Sequence, residues 1–382
     1  MDTRKVPSQT RHNCRSIVAQ QRLKWPDIAR GVSILGVIIL HVSLAVPEAR
    51  DTWLSQANEF LDPLRMPLFF LVSGLFSAKV FRFSFQQLFT RRLWFLLVPY
   101  IFWVPLELAA YQVVLVNDYG AEWPPAQYFL KQVITGSTLI WFLYALVLFN
   151  IALWALRALP GWVAVLVSFI VPVLLLPFHE HWHMIAKSVI YLPVFVFAAY
   201  FASSIHRFTA HAKRIPVVIS ALVAYLLGYA GAQLWESVRG EQAYWSGPGS
   251  IEFGPFELDL FFRIIQHAFS LPAAIVLSVL LTYLPRVSTV LLKLGRNTLP
   301  LYIGHHFGIM ALFHYQRLWV VDVELEDITR FGRFPFENSL FWAFCGLLGA
   351  LATGAMLKYL TRVKSLRWLL YPPPLSALGR RE

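Results

Sequence analysis

Ten apolar runs punctuate this chain, at about 26–46, 61–78, 93–116, 139–156, 162–178, 189–204, 215–235, 260–283, 298–315 and 339–360, and they limit its fold more than any single residue does. Runs of that length match the hydrocarbon thickness of a bilayer when wound as helices. With 57% hydrophobic and only 14% charged residues, the chain could not keep its apolar surface from water as a soluble domain. The predicted class is therefore all-α, a polytopic membrane protein of about ten transmembrane helices.

Charge supplies the check on that count. Beginning with the amino-terminal tail, alternate hydrophilic segments are basic, carrying for example Arg22 and Lys24, Arg91 and Arg92, Arg157, Arg207 and Arg214, Arg286 and Arg296, and Arg362 and Arg367. The segments between them hold most of the acids, among them Glu48, Glu59, Asp62, Asp118, Glu236, Glu257, Asp322 and Glu337. A miscounted span would scramble this alternation, so both termini are expected in the cytoplasm. The organisation follows: a basic cytoplasmic tail over 1–25, one transmembrane domain over 26–361 and a cytoplasmic tail over 362–382. The multi-pass chain is expected in the cell (inner or plasma) membrane, with the bilayer as a partner. The net charge of +12 is spread over one side's loops, which argues against nucleic acid as a partner. Cys14 and Cys345, one in the tail and one in a span, give no disulfide framework. No small-residue cleavage site follows the basic stretch, so the first span is expected to be retained.

That first span carries the most informative polar residues. Asp27, Arg30 and His41 lie on one apolar segment, and the eleven steps from Arg30 to His41 make roughly three helical turns. Both side chains then share a stripe, about 16 Å apart along the axis. The bland account is an anchor, with Arg30 snorkelling to headgroups and Asp27 capping the helix. The functional account has a guanidinium gripping an anionic substrate and an imidazole, deep in the membrane, acting as a base.

At these residues the chain resembles the membrane acyltransferase-3 family. Asp27…Arg30-x10-His41 is similar to the family's first-helix signature, and Phe69-Phe70-Leu71-Val72-Ser73-Gly74-Leu75 to its Phe-Phe-x-x-Ser-Gly-Phe motif. Arg91-Arg92 running into Pro99 resembles the family's arginine pair, and Trp141-Phe142-Leu143 its fourth-span element. Gly295 to His305, with Thr298 and Tyr302 between, resembles the late Gly-x-x-Ser-x-x-x-Tyr-x-x-His element. The ordered set spans most of the chain. It departs from the pattern at Trp94 and Phe95, where relatives often have a further arginine, and in offering two late histidines, His305 and His306.

The resemblance implies an acyl-CoA-dependent O-acyltransferase, passing an acyl group from the cytoplasmic side to a hydroxyl of an extracytoplasmic sugar or glycolipid. Acyl-CoA is then a co-substrate, acetyl-CoA by default, with no permanently bound cofactor and no metal. The family style leans towards enzymes that acetylate trehalose monomycolate. The catalytic candidates are His41 as general base, Asp27, and Ser73 and Tyr302 as oxyanion donors. Arg30, Arg91, Arg92 and Arg296 are the donor-binding candidates. Arg65, Glu107, Trp141, His267, His305 and His306 are the acceptor-side candidates, Trp141 also offering an oxyanion donor. Each has a plain alternative: topological or headgroup roles for the arginines, helix packing for Ser73 beside Gly74, an interfacial anchor for Trp141, helix bridging for Tyr302, and pairing of Glu107 with Arg65 or Arg263.

Two rival readings compete with this one. His179-Glu180-His181-Trp182-His183 matches the zinc-protease pattern His-Glu-x-x-His, which needs a helix to bring its imidazoles together, yet here follows Pro177 in an expected outer turn. A transporter or flippase would also use buried His, Arg and Glu, although no inverted repeat or Walker A sequence is evident.

Overall fold

A computed structural model describes residues 23–175, 188–240, 244–247, 252–314 and 338–375. The helices used below are numbered in chain order, leaving very short turns unnumbered. They are α1 (Trp25–Ala45), α2 (Trp53–Phe60), α3 (Asp62–Leu75), α4 (Trp94–Tyr119), α5 (Ala126–Thr135), α6 (Trp141–Ala155) and α7 (Gly161–Leu175). The second half of the chain supplies α8 (Leu192–Tyr200), α9 (Ala202–His211), α10 (Ile215–Val238), α11 (Pro255–Leu280), α12 (Pro285–Gly295), α13 (Thr298–Ile309) and α14 (Ser339–Leu360). Trp245–Ser246 pairs antiparallel with Glu252–Phe253 in a two-residue ladder, a minor addition to an all-α protein.

Among the described residues, seven segments are long and apolar enough to cross a membrane: Trp25–Ala45, Asp62–Arg82, Phe85–Asn117, Trp141–Ala158, Ile215–Val238, Pro255–Tyr283 and Ser339–Leu360. Of the other three expected spans, α7 is described only as far as Leu175, and two come out shorter. The run at 189–204 breaks at Phe201 into α8 and α9, and α13 gives way after Ile309 to a π turn over Met310–His314. Both α8 and α13 are buried along most of their length, and a helix wrapped by protein is not held to the bilayer's thickness.

The first helix forms the hub, packing on α3, α11, α12, α13 and α14. Pro26 opens it, and Pro47 ends it by pushing Val46 into extended backbone. In α3, Pro67 has no N–H for the carbonyl of Pro63; the hydroxyl of Ser270 on α11 donates to that oxygen at 2.9 Å instead. A defect in one helix thus becomes a bond between two.

Two faces can be told apart. Arg30 lies over the Phe76 ring, Arg92 donates to the Phe76 carbonyl, and Trp94 Nε1 donates to the carbonyl of Pro373 at 2.9 Å. The start of α1 and the end of the described chain therefore share this basic face, as the charge alternation requires of two termini on one side. Asp62, Arg263 and the Arg239–Asp259 pair lie towards the opposite, acidic face.

Candidate active site

His41 sits on the last full turn of α1, where it lines a cavity of about 860 Å³. Its Nδ1 lies 3.0 Å from Nε2 of His305, on α13. The other ring nitrogen of His305, Nδ1, is 2.6 Å from the carbonyl oxygen of Tyr302. A carbonyl only accepts, so Nδ1 of His305 carries a proton and, in the neutral ring, its Nε2 accepts. Nδ1 of His41 must then be the donor to it. The chain of bonds leaves the lone pair of neutral His41 on Nε2, which is the form a general base requires.

The adjacent His306 turns elsewhere, its Nε2 standing 3.6 Å from Oε1 of Glu107 on α4. Glu107 is 3% exposed, lines the same cavity, and keeps its other oxygen without a hydrogen-bond partner. His306 is its nearest titratable neighbour, across a gap that leaves His306 Nε2 without a hydrogen bond too. Arg65 on α3 and Arg263 on α11 both reach Asp62 instead, Arg65 closely and Arg263 at 3.7 Å. All three line the cavity near its acidic-face side, with Arg50 and Glu59. Trp141 lines it too, stacked on Tyr191, which in turn stacks on His267 with centroids 4.9 Å apart. His267 is buried behind that aromatic pair and is not part of the lining.

The expected oxyanion donors fare differently. The Ser73 hydroxyl donates to the carbonyl of Phe69 at 2.9 Å, one turn back in its own helix. Beside it, a Cβ on Gly74 would stand 2.2 Å from the carbonyl oxygen of Phe195, so this motif brings α3 and α8 into backbone contact. The Tyr302 hydroxyl donates to the carbonyl of Leu139 at 2.5 Å while the residue lines the cavity.

At the basic end of α1, Asp27 is 2% exposed and pairs with Arg296 at 3.1 Å, remote in the chain and close in space because α12 packs along α1. Arg30 stands 5.0 Å from the centroid of Phe76 and Arg91 5.7 Å from that of Phe83. Arg30 and His41 share a helix as expected, but Arg30 is not part of the cavity wall. Between them lies a narrow gap lined by Ser33, Ile34, Phe69, Phe142 and Thr298, which shares Val37, Met66 and Tyr302 with the cavity. Arg30 and His41 therefore stand on one helix with only a water-sized gap between the cavity and the basic face.

Sequence reasoning missed the acidic-face wall: Arg50, Asn58, Glu59, Asp62, Tyr191 and Arg263. The one sequence signal for Arg50, Asn58, Glu59 and Asp62 is the clustering of polar residues around α2, which reads as an ordinary loop; Tyr191 and Arg263 come from distant parts of the chain and carry none. The His-Glu-x-x-His pentapeptide at 179–183 lies outside the described residues.

A cavity walled by charged and titratable side chains, with two imidazoles in hydrogen-bond contact, has the features of a candidate active site. Comparison with curated proteins and with solved structures gave no match. A family model described as an acyltransferase domain matches residues 23–360, all but the ends of the chain, and covers both α1 and α13. The chain belongs to the membrane acyltransferase-3 family, as a multi-pass acyltransferase.

Proposed function

We propose that this protein transfers an acyl group, acetyl by preference, from acyl-CoA to a hydroxyl of a sugar or glycolipid that enters from the acidic, extracytoplasmic face. The observation that carries the reading is the Tyr302–His305–His41 hydrogen-bond chain, which fixes the His41 ring and leaves Nε2 as its basic nitrogen. Acyl-CoA is anionic, and Arg30 and Arg92 meet around Phe76 at the basic face, where such a donor would arrive. The acyl-bearing arm would have to part the side chains of Ser33, Ile34, Phe69, Phe142 and Thr298, which close all but a water-sized gap between that face and the cavity of His41. A volume of about 860 Å³ suits a ligand of one or two sugar rings, since small-molecule sites span roughly 300–1,000 Å³. Carboxylates, guanidinium groups and the face of Trp141 supply the bonds and apolar platform that a polyol needs.

In the reaction the acceptor O–H gives its proton to Nε2 of His41 as its oxygen attacks the thioester carbon. Collapse of the tetrahedral intermediate breaks the C–S bond, and the imidazolium returns the proton to the departing sulfur. The test is to incubate purified protein with labelled acetyl-CoA and an envelope extract. Transfer of label by the parent and its loss in His41→Ala, with membrane insertion intact, is the expected result. Transfer that survives in His41→Ala removes that residue as the base.

A further inference from the structure

We infer that Arg65 is the residue that stabilises the oxyanion of the tetrahedral intermediate, an inference that rests on the acyl-transfer reading above. Attack on the thioester moves a carbonyl electron pair onto oxygen, and that charge needs a preorganised donor in a water-poor site. Two neutral candidates have spent their protons elsewhere: the Ser73 hydroxyl on Phe69 and the Tyr302 hydroxyl on Leu139. Trp141 remains in the cavity wall but offers one uncharged N–H.

Arg65 offers more. It lines the same cavity as His41, is 8% exposed, and binds Asp62 through Nη2 alone. Nε and Nη1 are buried with no hydrogen-bond partner. Each orphaned buried donor is a cost to the fold, and an ion pair within the first turn of α3 would not by itself retain two of them. A ligand oxygen would satisfy both through one guanidinium edge.

The side chain is also held in place. A Cβ added to Gly36 would lie 2.9 Å from Cδ of Arg65 and 3.1 Å from Oδ1 of Asn58, so the Arg65 stem crosses α1 where that helix has no side chain. Gly36 is five residues before His41 on the same helix, and Arg65 and His41 line one cavity. Asp62 holds one end of the guanidinium while the α1 backbone supports its stem. The other charged groups of the wall are Arg50, Glu59, Arg263 and Glu107, the last with His306 as its neighbour at 3.6 Å. Each cycle balances: one proton passes from acceptor oxygen to His41 and on to sulfur, one C–O bond forms, one C–S bond breaks, and Arg65 gives up no proton.

The test uses purified full-length protein in nanodiscs, labelled acetyl-CoA and the envelope extract at saturation. Arg65→Ala is expected to lower kcat about 100-fold with the apparent KM for acetyl-CoA unchanged. Added guanidinium chloride at millimolar concentration should restore part of that rate, a rescue that a purely structural role would not give. Arg65→Lys keeps the charge and the fold with fewer oriented donors, and should lie between parent and Arg65→Ala. Parent-like kcat in Arg65→Lys and Arg65→Ala, or a loss confined to the KM for the extract, overturns the inference while leaving acyl transfer standing. A parent protein that moves no label overturns the acyl-transfer reading, and the role of Arg65 falls with it.

Discussion

His305 stands behind His41, Nε2 to Nδ1 at 3.0 Å, with the Tyr302 carbonyl fixing the proton on its far side. In the proposed reaction this arrangement would make His305 a positioning residue, setting the tautomer and the ring angle of His41 without touching the reacting atoms. Losing it should leave His41 present but free to rotate and to exchange tautomers. His305→Ala is therefore expected to lower kcat about 10- to 100-fold, against about 1,000-fold for His41→Ala. Because the two act as a unit, the double variant should be no slower than His41→Ala alone. Additive losses in single-turnover rates would show that the rings work independently.

The arginines of the basic face divide into two kinds. Arg30 and Arg92 gather at Phe76, whereas Arg296 is tied to the buried carboxylate of Asp27. Charge-assisted bonds to phosphate contribute about 1.5–3 kcal/mol, so Arg30→Ala and Arg92→Ala should each raise the apparent KM for acyl-CoA at least tenfold with kcat little changed. Arg296→Ala should instead lower the melting temperature, because it strips a buried carboxylate of a cation, and should leave the donor KM near the parent value. Titration of acyl-CoA against all three variants, with a melting curve for each, separates the roles.

Much of this was readable from residues alone. Run lengths and the alternating charges gave the all-α membrane class, because a bilayer imposes one thickness and one charge rule on every span. Helical arithmetic placed Arg30 and His41 on one helix. It could not place them in one cavity, since what lies between them depends on Phe69, Phe142 and Thr298, drawn from three other helices. Nor could spacing decide between His305 and His306, neighbours about 100° apart on α13. Packing decides it: Gly304 lets α13 approach Gly354 on α14, where a Cβ would stand 2.7 Å from the Gly354 Cα, and that contact fixes which face turns to α1. The helix α12 was hidden for another reason. Its polar and charged residues mark a cytoplasmic connection, yet Gly31 and Gly295 let it lie against α1 backbone to backbone.

That last contact has a measurable cost if filled. A Cβ on Gly295 would stand 1.7 Å from the carbonyl oxygen of Asp27, and neither backbone can yield without moving a helix. Gly295→Ala should cost about 1–3 kcal/mol, seen as a lower melting temperature in detergent. It should also loosen the neighbouring Asp27–Arg296 pair while leaving the His41 end of α1 undisturbed. The kcat of the folded fraction is then expected to match the parent. A fall in kcat as large as that of His305→Ala would mean that the two ends of α1 are mechanically coupled.

Trp141 gives the sharpest separation of acceptor from donor. It faces the cavity from the start of α6, and its ring is stacked on Tyr191 with centroids 6.1 Å apart, itself stacked on His267. Three tiers make the platform stiff, since no ring can tilt without displacing the next. An apolar sugar face laid against it would gain about 0.5–1.5 kcal/mol, or roughly three- to tenfold in binding. Trp141→Ala should raise the apparent acceptor KM by that factor and leave the acyl-CoA KM unchanged, because in the proposed reaction the donor would arrive from the basic face. Trp141→Phe should retain most of the affinity by keeping an aromatic face. His267→Ala, one tier further back, should act in the same direction but more weakly. If Trp141→Ala instead raises the donor KM, the acceptor does not lie on this wall and the cavity must be filled by the acyl arm.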